Sequence, residues 1–382
     1  MSVLQLASIG FIGAGLLSAA GVIVGASVYD LLQARKKKHL KKLTWRPLVS
    51  IVVPTRNSVE TIESCLSSLI RSSLRKYEII IVDHASTDDT KQLVKKFIKS
   101  HPKKSIRLVT ARKTSGMVAL ASGLRYTKGE IVVVINAQSK VAKDTLKNTV
   151  RQFYINPGLG ASKLHNRTDE QQTLASLLKQ FEDCARSQAL KLRHITKVIR
   201  ARGTYNIAYR RDALAKALRG NEPPKTYHYA SDAVVYTGAP KSFINLIIQR
   251  YWHQQFSPIS RFNTLAVSLS QLLLLAVPVM LGYFIFLAVT HRSIYLFVLS
   301  WLILSVFLLL AIVGDEHLGF KKKMRLILYI PMAFSLFYVA TLARFIIVFR
   351  LLANSVKRFN KKLQTLAKRL QLQRIVKIYG LK

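Results

Sequence analysis

Acidic residues are scarce in this chain: 18 Asp and Glu stand against 59 Lys and Arg, a formal charge of +41 over 382 residues. Such an excess calls for a polyanionic neighbour: nucleic acid, anionic lipid or a phosphorylated substrate. Cysteine is scarcer still. Cys65 and Cys184 lie far apart and without metal-ligand spacing, which reads as two small core residues rather than a metal or disulfide framework. Internal repeats and low-complexity linkers are absent. Hydrophobic residues nevertheless make up 50% of the chain. Soluble nucleic-acid binders are rarely so apolar, and no recognisable nucleic-acid-binding motif is present. A membrane protein among anionic lipids fits both facts, and nucleic acid is not an expected partner.

Val3 to Val28 are apolar or small and carry no charge, and a bilayer core needs about 20 such residues. Arg35-Lys36-Lys37-Lys38-His39-Leu40-Lys41-Lys42 comes after it, and no positive charge precedes it. That order reverses a secretory signal peptide and predicts an anchor whose succeeding domain lies in the cytosol. The expected organisation is a transmembrane anchor over 1–33, a basic juxtamembrane segment over 34–46 and a cytosolic domain over 47–242. Next come an amphipathic interface helix over 243–261, transmembrane or interfacial helices over 262–352 and a basic amphipathic tail over 353–382. Leu265 to Val289 and Ile294 to Val313 can span a bilayer, whereas Leu326 to Ala343 is broken by Pro331. From Val356 the tail carries nine Lys and Arg and no acid. Three spans after a cytosolic domain would put it outside, against the positive-inside trend; an interfacial or re-entrant third segment would keep it inside. The expected location is the cell membrane, multi-pass, with the 47–242 domain cytosolic.

Within 47–242 the pattern changes. Val49 to Val53, Glu78 to Val82, Ile106 to Thr110 and Ile131 to Ile135 are short runs rich in Val and Ile. Ser58 to Arg71 and Thr87 to Ser100 between them carry apolar residues at helical spacing. Alternating strand and helix predicts an α/β fold with a doubly wound, mostly parallel sheet. Ser58 is a candidate N-cap of the first helix, and Asp88-Asp89 begin the second, where negative charge suits the dipole. Ligands of such a sheet sit at the carboxyl ends of its strands. Those ends read Pro54-Thr55-Arg56-Asn57, Asp83-His84-Ala85-Ser86-Thr87-Asp88-Asp89 and Asn136-Ala137-Gln138-Ser139.

RPLVSIVVPTRNSVETIESCLSSLIRSSLRKYEIIIVDHASTDDT, from Arg46 to Thr90, resembles the opening of a family 2 glycosyltransferase of GT-A fold. Lys128-Gly-Glu-Ile-Val-Val-Val-Ile135 is similar to the family's approach to its metal-binding Asp-x-Asp, and Gly203 to Leu214 to its Gly…Arg-Arg-x-Ala-Leu segment. Ala233 to Pro240, with Gln249, Arg250 and Trp252 after it, resembles the strand and the acceptor helix bearing Gln-x-x-Arg-Trp. The flanking apolar segments resemble the membrane-integrated synthases of hyaluronan, cellulose and chitin type, so transmembrane helices are expected around the sheet. The resemblance implies that Pro54, Thr55, Asn57, Asp83 and Ser86 hold the nucleotide of a UDP-sugar, with Asp83 on the uracil base.

The departures bear on chemistry. The Asp-x-Asp stands here as Asn136 and Gln138, and no carboxylate lies between Ile131 and Lys143. Hard cations seek anionic oxygen, and an amide carbonyl brings no charge. The Thr-Glu-Asp segment that supplies the general base is missing, and Trp252 and His253 stand where Arg and Trp belong. Glu222 and Asp232 remain as substitute bases. Arg112, Lys113, Arg202, Arg210 and Arg211 could stabilise a departing diphosphate without metal. Two expectations result. One is a catalytically degenerate, membrane-integrated protein of cell-surface polysaccharide or glycolipid assembly, serving as partner or scaffold for another glycosyltransferase, with no metal site. The other is an active, nucleotide-sugar-dependent transferase with displaced or metal-free catalysis, which would take Mg²⁺ or Mn²⁺ only if a metal site were rebuilt.

Overall fold

The computed structural model describes residues 20–35, 45–111, 116–169, 173–195, 205–220, 224, 226–239, 242 and 294–332. The chain packs as two compact units, and every described residue except Ile294 belongs to the first, which comprises 1–264 and 295–334. Helix α1 covers residues 20–35. There follow β1 (Val49–Thr55), α2 (Ile62–Ile70), β2 (Tyr77–Asp83), α3 (Thr90–Ser100), β3 (Ile106–Thr110), α4 (Gly116–Leu124), β4 (Ile131–Val134) and β5 (Ser139–Val141). Next come α5 (Thr145–Ile155), β6 (Ala161–Thr168), α6 (Leu174–Ile195), β7 (Ile207–Arg210), α7 (Arg211–Gly220), β8 (Tyr227–Thr237), α8 (Ile294–Val313) and α9 (Phe320–Leu328).

Among the described residues the strands form one sheet in the order β3-β2-β1-β4-β7-β6-β8-β5. All seven residues of β1 are buried. A Val- and Ile-rich strand apolar on both faces takes a central place, and β1 pairs in parallel with β2 and β4. Pairings β1–β2, β1–β4, β2–β3 and β6–β8 are parallel, four of seven among the described residues, but the sheet changes beyond β4. There β7 is antiparallel to both β4 and β6, and β5 is antiparallel to β8, so the sheet is mixed. One face is covered by α2, α3 and α5, with Cys65, Leu66, Val94, Leu146 and Phe153 in its core. On the other face α4 and α7 bring Ala119, Leu120 and Leu214 against Val52, Val82 and Val134. Gly129 lies two residues before β4, where no side chain fits: a Cβ there would lie 2.6 Å from both the Leu48 carbonyl oxygen and the Ser50 nitrogen.

The start of α2 also differs from expectation. Ser58 does not cap it; the Ser58 carbonyl accepts from the backbone N–H of Thr61 (3.0 Å) and Ile62 (2.9 Å), so a turn precedes a helix that begins at Ile62. The start of α3 agrees with the reading of Asp88. Its Oδ1 accepts from the Thr90 N–H (3.2 Å) and the Thr90 hydroxyl (2.6 Å), and its Oδ2 from the Val59 N–H (3.2 Å).

A buried polar seam ties α1, α6 and the α8–α9 elbow to β6 and β8. The Tyr29 hydroxyl donates to the Tyr229 carbonyl (2.8 Å) and Lys191 pairs with Asp30 (2.6 Å). Arg167 pairs with Asp315 in the elbow, and His317 Nε2 donates to the Ser231 carbonyl (2.7 Å). His165 Nε2 accepts from Arg167 Nε (3.1 Å), so Nδ1 carries the proton and donates to the Tyr229 hydroxyl. Burial, then the charges of Arg167, His317 and Lys191, hold that imidazole well below its usual 6.5.

The outward faces of these helices are apolar. Val24, Val28, Leu31 and Leu32 are exposed on α1, and Leu302, Val306, Leu309, Leu310 and Val313 on α8. Among the described residues no helix is long and apolar enough to cross a membrane. Helix α8 has 20 residues and no charge, but the side chains of 294–300, 303 and 304 lie outside the described residues. So do residues 1–19, 243–293 and 333–382, and with them the expected interface helix, the Leu265–Val289 span and the basic tail.

The seam yields two testable outcomes. Asp315→Ala strands a buried guanidinium and should cost about 3–5 kcal/mol, with Arg167→Met in the same chain restoring part of it; thermal unfolding of the purified protein measures both. Because the folded-state pKa of His165 is depressed, its contribution to stability is complete above the unfolded value of 6.5 and is lost as the pH falls below it. Melting temperatures should therefore decline on acidification, and His165→Gln should flatten that decline.

Candidate functional site

Parallel pairing of β2, β1 and β4 sends the three loops after them out at one edge of the sheet. The carboxyl ends of β1 and β2 are matched residue for residue, Thr55 against Asp83. The two loops then bind each other. The Asn57 N–H donates to Ser86 Oγ (3.1 Å), and Asn57 Oδ1 accepts from the Thr87 N–H (2.9 Å). Ser86 Oγ donates to Asp83 Oδ1, and the His84 N–H to the Thr55 carbonyl (3.1 Å). Pro54, Thr55, Asn57, Asp83 and Ser86, which the sequence assigned to a nucleotide, thus form one continuous wall. Asp83 is buried, and Thr55 Oγ1 is buried with no hydrogen-bond partner among the described residues. Partial burial would push the Asp88 carboxyl up, but the hydrogen bonds from Thr90 and Val59 outweigh it and hold the group below its ordinary value.

Strain is concentrated at this edge. Asn57 (φ 48), Ala85 (φ 63) and Asn206 (φ 57) are the non-glycine residues with left-handed backbone among those described. Asn tolerates that region through local hydrogen bonds, whereas Ala has no such compensation. Three left-handed turns held against backbone preference therefore gather where these loops leave the sheet.

The loop after β4 carries the amides. Asn136 Oδ1 accepts from the Gln138 N–H (3.0 Å), and the Asn136 carbonyl from the Ser139 N–H (2.8 Å), closing a tight turn. Asn206, just before β7, donates from its N–H to the Val134 carbonyl (2.7 Å) and from Nδ2 to Asn166 Oδ1 (2.9 Å) and Ser139 Oγ (3.3 Å). This donor set does not fit a hard divalent cation: the Asn136 carbonyl oxygen is engaged, Gln138 is neutral and exposed, and the turn contains no carboxylate. Among the described residues no three His, Cys, Asp or Glu side chains are grouped to hold a metal.

The candidate bases fare differently. Asp232 faces α5, where its Oδ1 accepts from Gln152 Nε2 (3.2 Å) and its carbonyl from Asn148 Nδ2 (2.7 Å). It is therefore held on the helix-covered face rather than at the strand ends. Glu222 and the acceptor motif Gln249, Arg250 and Trp252 lie outside the described residues, as do Arg112, Lys113 and Arg202. Arg210 is not at the site: it pairs with Ile131 at the opposite end of β4 and donates from Nε to the Leu159 carbonyl (3.2 Å). Arg211 follows it, its N–H on the Glu130 carbonyl (3.0 Å).

Residues that the sequence did not flag also reach this edge. Strand β6 runs past the end of β4 and delivers Asn166 and then Asp169, whose N–H donates to the Thr237 carbonyl (2.7 Å). The Asp169 carboxylate pairs with Lys140 (2.8 Å) on the solvent side. Lys163 Nζ donates to the Tyr205 carbonyl (2.8 Å), and burial, then the charge of Arg186, bring it down to about 8. The signal for Asn206 was an Asn immediately before a strand, where a left-handed turn is common; for Lys163 and Asp169 no sequence signal existed, because β6 was not recognised.

Residues 50–218, a little under half of the chain, match the family model Glycosyl transferase family 2, and this segment is similar to that family. Over 107 residues it is 30% identical to the dolichyl N-acetyl-alpha-D-glucosaminyl phosphate 3-beta-D-2,3-diacetamido-2,3-dideoxy-beta-D-glucuronosyltransferase of Methanococcus voltae, covering 28% of this chain and 33% of that one. Over 113 residues it is 29% identical to the poly-beta-1,6-N-acetyl-D-glucosamine synthase of Staphylococcus epidermidis, covering 30% of this chain and 27% of that one. The matches thus span about a third or less of the curated relatives' length. Among solved structures, the Pyrobaculum calidifontis mannosyltransferase PcManGT in complex with GDP-Man and Mn²⁺ is 20% identical, with 88% of this chain and 98% of that one covered at a TM-score of 0.47. At that score and identity the likeness carries no functional information.

Ala85 offers a direct test of the strained edge. Ala85→Gly removes the left-handed penalty of about 1–2 kcal/mol at the cost of some unfolded-state entropy. A net gain of about 0.5–1 kcal/mol is expected, read as a rise in melting temperature.

Proposed function

We propose that this chain is a membrane-integrated, family 2 glycosyltransferase-like protein of cell-surface polysaccharide or glycolipid assembly that binds a nucleotide sugar without turning it over. It serves there as partner or scaffold for an active glycosyltransferase. One observation carries the reading. The wall from Pro54 to Ser86 is built and internally bonded, while the turn facing it ends in Asn136 and Gln138, with the Asn136 carbonyl oxygen committed to its own turn. Glycosyl transfer needs a base on the acceptor hydroxyl, which typically contributes about a hundred- to ten-thousand-fold. Of the two substitute bases expected from sequence, Asp232 is held against α5. The membrane part of the reading is supported by the uncharged α8 and the apolar outward stripes on α1 and α8. Anionic lipid would answer the charge of +41.

A second reading, an active metal-free transferase, is favoured by one observation: Asp169 brings a carboxylate to the same edge, paired with Lys140.

Chemistry here would be limited to what these residues do. Asp83 and Ser86 would orient the base and ribose, Thr55 Oγ1 would find the partner it lacks in the sugar nucleotide, and surface cations would balance the diphosphate. The test incubates purified full-length protein with UDP-, GDP- and dTDP-sugars and measures both binding and nucleoside-diphosphate release. Binding of one nucleotide class is expected, weakened about 10- to 100-fold by Asp83→Ala. Release no greater than in Asp83→Ala is also expected, and Asn136→Asp with Gln138→Asp should not restore it. Release above that control, abolished by Asp169→Asn, would establish the second reading instead.

A further inference from the structure

Helix α9 and its continuation to Met332 are apolar on two opposite sides. Leu326 and Ile330 are buried. On the far side Phe320 (78% exposed), Met324 (51%), Leu328 (75%) and Met332 (46%) recur at every fourth residue. A helix that buries one apolar side in its own protein and turns a second one outward has an unfilled demand for apolar contact. The segment folds back along α8, since the Trp301 indole N–H donates to the Pro331 carbonyl (3.5 Å). The outward stripe of α9 therefore belongs to the same helical hairpin as Leu302, Val306, Leu309, Leu310 and Val313 of α8.

Charge is confined to one end of this hairpin. Lys321, Lys322, Lys323 and Arg325 all fall in the first turn and a half of α9, beside the elbow, and α8 has none. Lys323 Nζ donates to the Val313 carbonyl (2.6 Å) and so closes the end of α8. The elbow is also fixed to the sheet domain, by Arg167 on Asp315 and His317 on Ser231. No acidic residue occurs after Glu316 in the chain.

We propose that the elbow of the α8–α9 hairpin is an anionic-lipid docking surface. Lys321, Lys322 and Arg325 take lipid phosphates at the headgroup plane, while Phe320, Met324, Leu328 and Met332 face the acyl chains. The two seam contacts then hold the sheet domain at a set height above that plane. The occupant is lipid rather than protein because the stripe and the cations are graded by depth: charge at the elbow, none farther along. The inference rests on the membrane reading above and extends it to one surface.

Site-directed spin labelling of the full-length protein in bilayer discs separates the two. The native Cys65 and Cys184 are buried, and burial pushes both thiols up to about 12, so they stay unlabelled near neutral pH. Single labels at Val306→Cys, Leu328→Cys, Phe320→Cys and Lys322→Cys are compared for collisions with oxygen and with a water-soluble nickel chelate. Positions 306 and 328 should favour oxygen over nickel by about fivefold or more relative to 322, with 320 between. In discs of phosphatidylcholine with phosphatidylglycerol, the 322 label should be more immobilised than in phosphatidylcholine alone, and Lys321→Gln with Arg325→Gln should remove that difference. Lipid contact at 306 with water contact at 328 would overturn the docking surface and leave the membrane reading standing. Water contact at both would overturn both. A label at 328 shielded from both reagents, or spin-coupled to another copy, would mean that protein fills the stripe and would also overturn the proposal. No effect of anionic lipid at 322 would remove the phosphate contacts.

Discussion

Parallel pairing of β1 with both β2 and β4 is the constraint on which the rest depends. It forces three loops to leave the sheet at one edge, and it does so because β1 is apolar on both faces and belongs nowhere but the centre. Once those loops share an edge, their short polar side chains must satisfy one another, and Asn57, Ser86, Asp83 and Thr87 do so. The left-handed turns at Asn57, Ala85 and Asn206 are local costs at that edge, and packing on both faces of the sheet sustains them.

The second half of the sheet serves a different purpose. Strands β6 and β8 present His165, Arg167, Tyr229 and Ser231 to α6, α1 and the α8–α9 elbow. Apart from the exposed His317 contact, they are buried and polar, so they fix geometry more than they add net stability. The same sheet that carries the loops after β1 and β2 is thereby joined to the helices with apolar outward stripes.

Much of this was legible in the sequence. Runs of Val and Ile bounded by turn residues located β1 to β4 within two residues. Strands β5, β6 and β7 were not recognised. Strand β5 has three residues, and β6 carries Lys163, His165, Asn166 and Arg167, a pattern that resembles a loop until their partners are known. Arg167 is acceptable in a buried strand only because Asp315, far along the chain, lies against it. The triplet Asn166-Arg167-Thr168 is a glycosylation sequon by spacing, yet its middle residue is buried in that pair. Arg210 looked available for a diphosphate, but antiparallel pairing of β7 put it at the wrong end of β4. Such long-range partnerships leave no trace in local periodicity.

The central claim is that the wall binds a nucleotide while the turn at Asn136 and Gln138 does not hold a metal. Calorimetric titration of UDP into the full-length protein, with and without Mn²⁺, tests it most directly. The account predicts an affinity that Asp83→Ala weakens and Mn²⁺ leaves unchanged. An affinity that requires Mn²⁺, and that Asn136→Ala or Gln138→Ala abolishes, would contradict it.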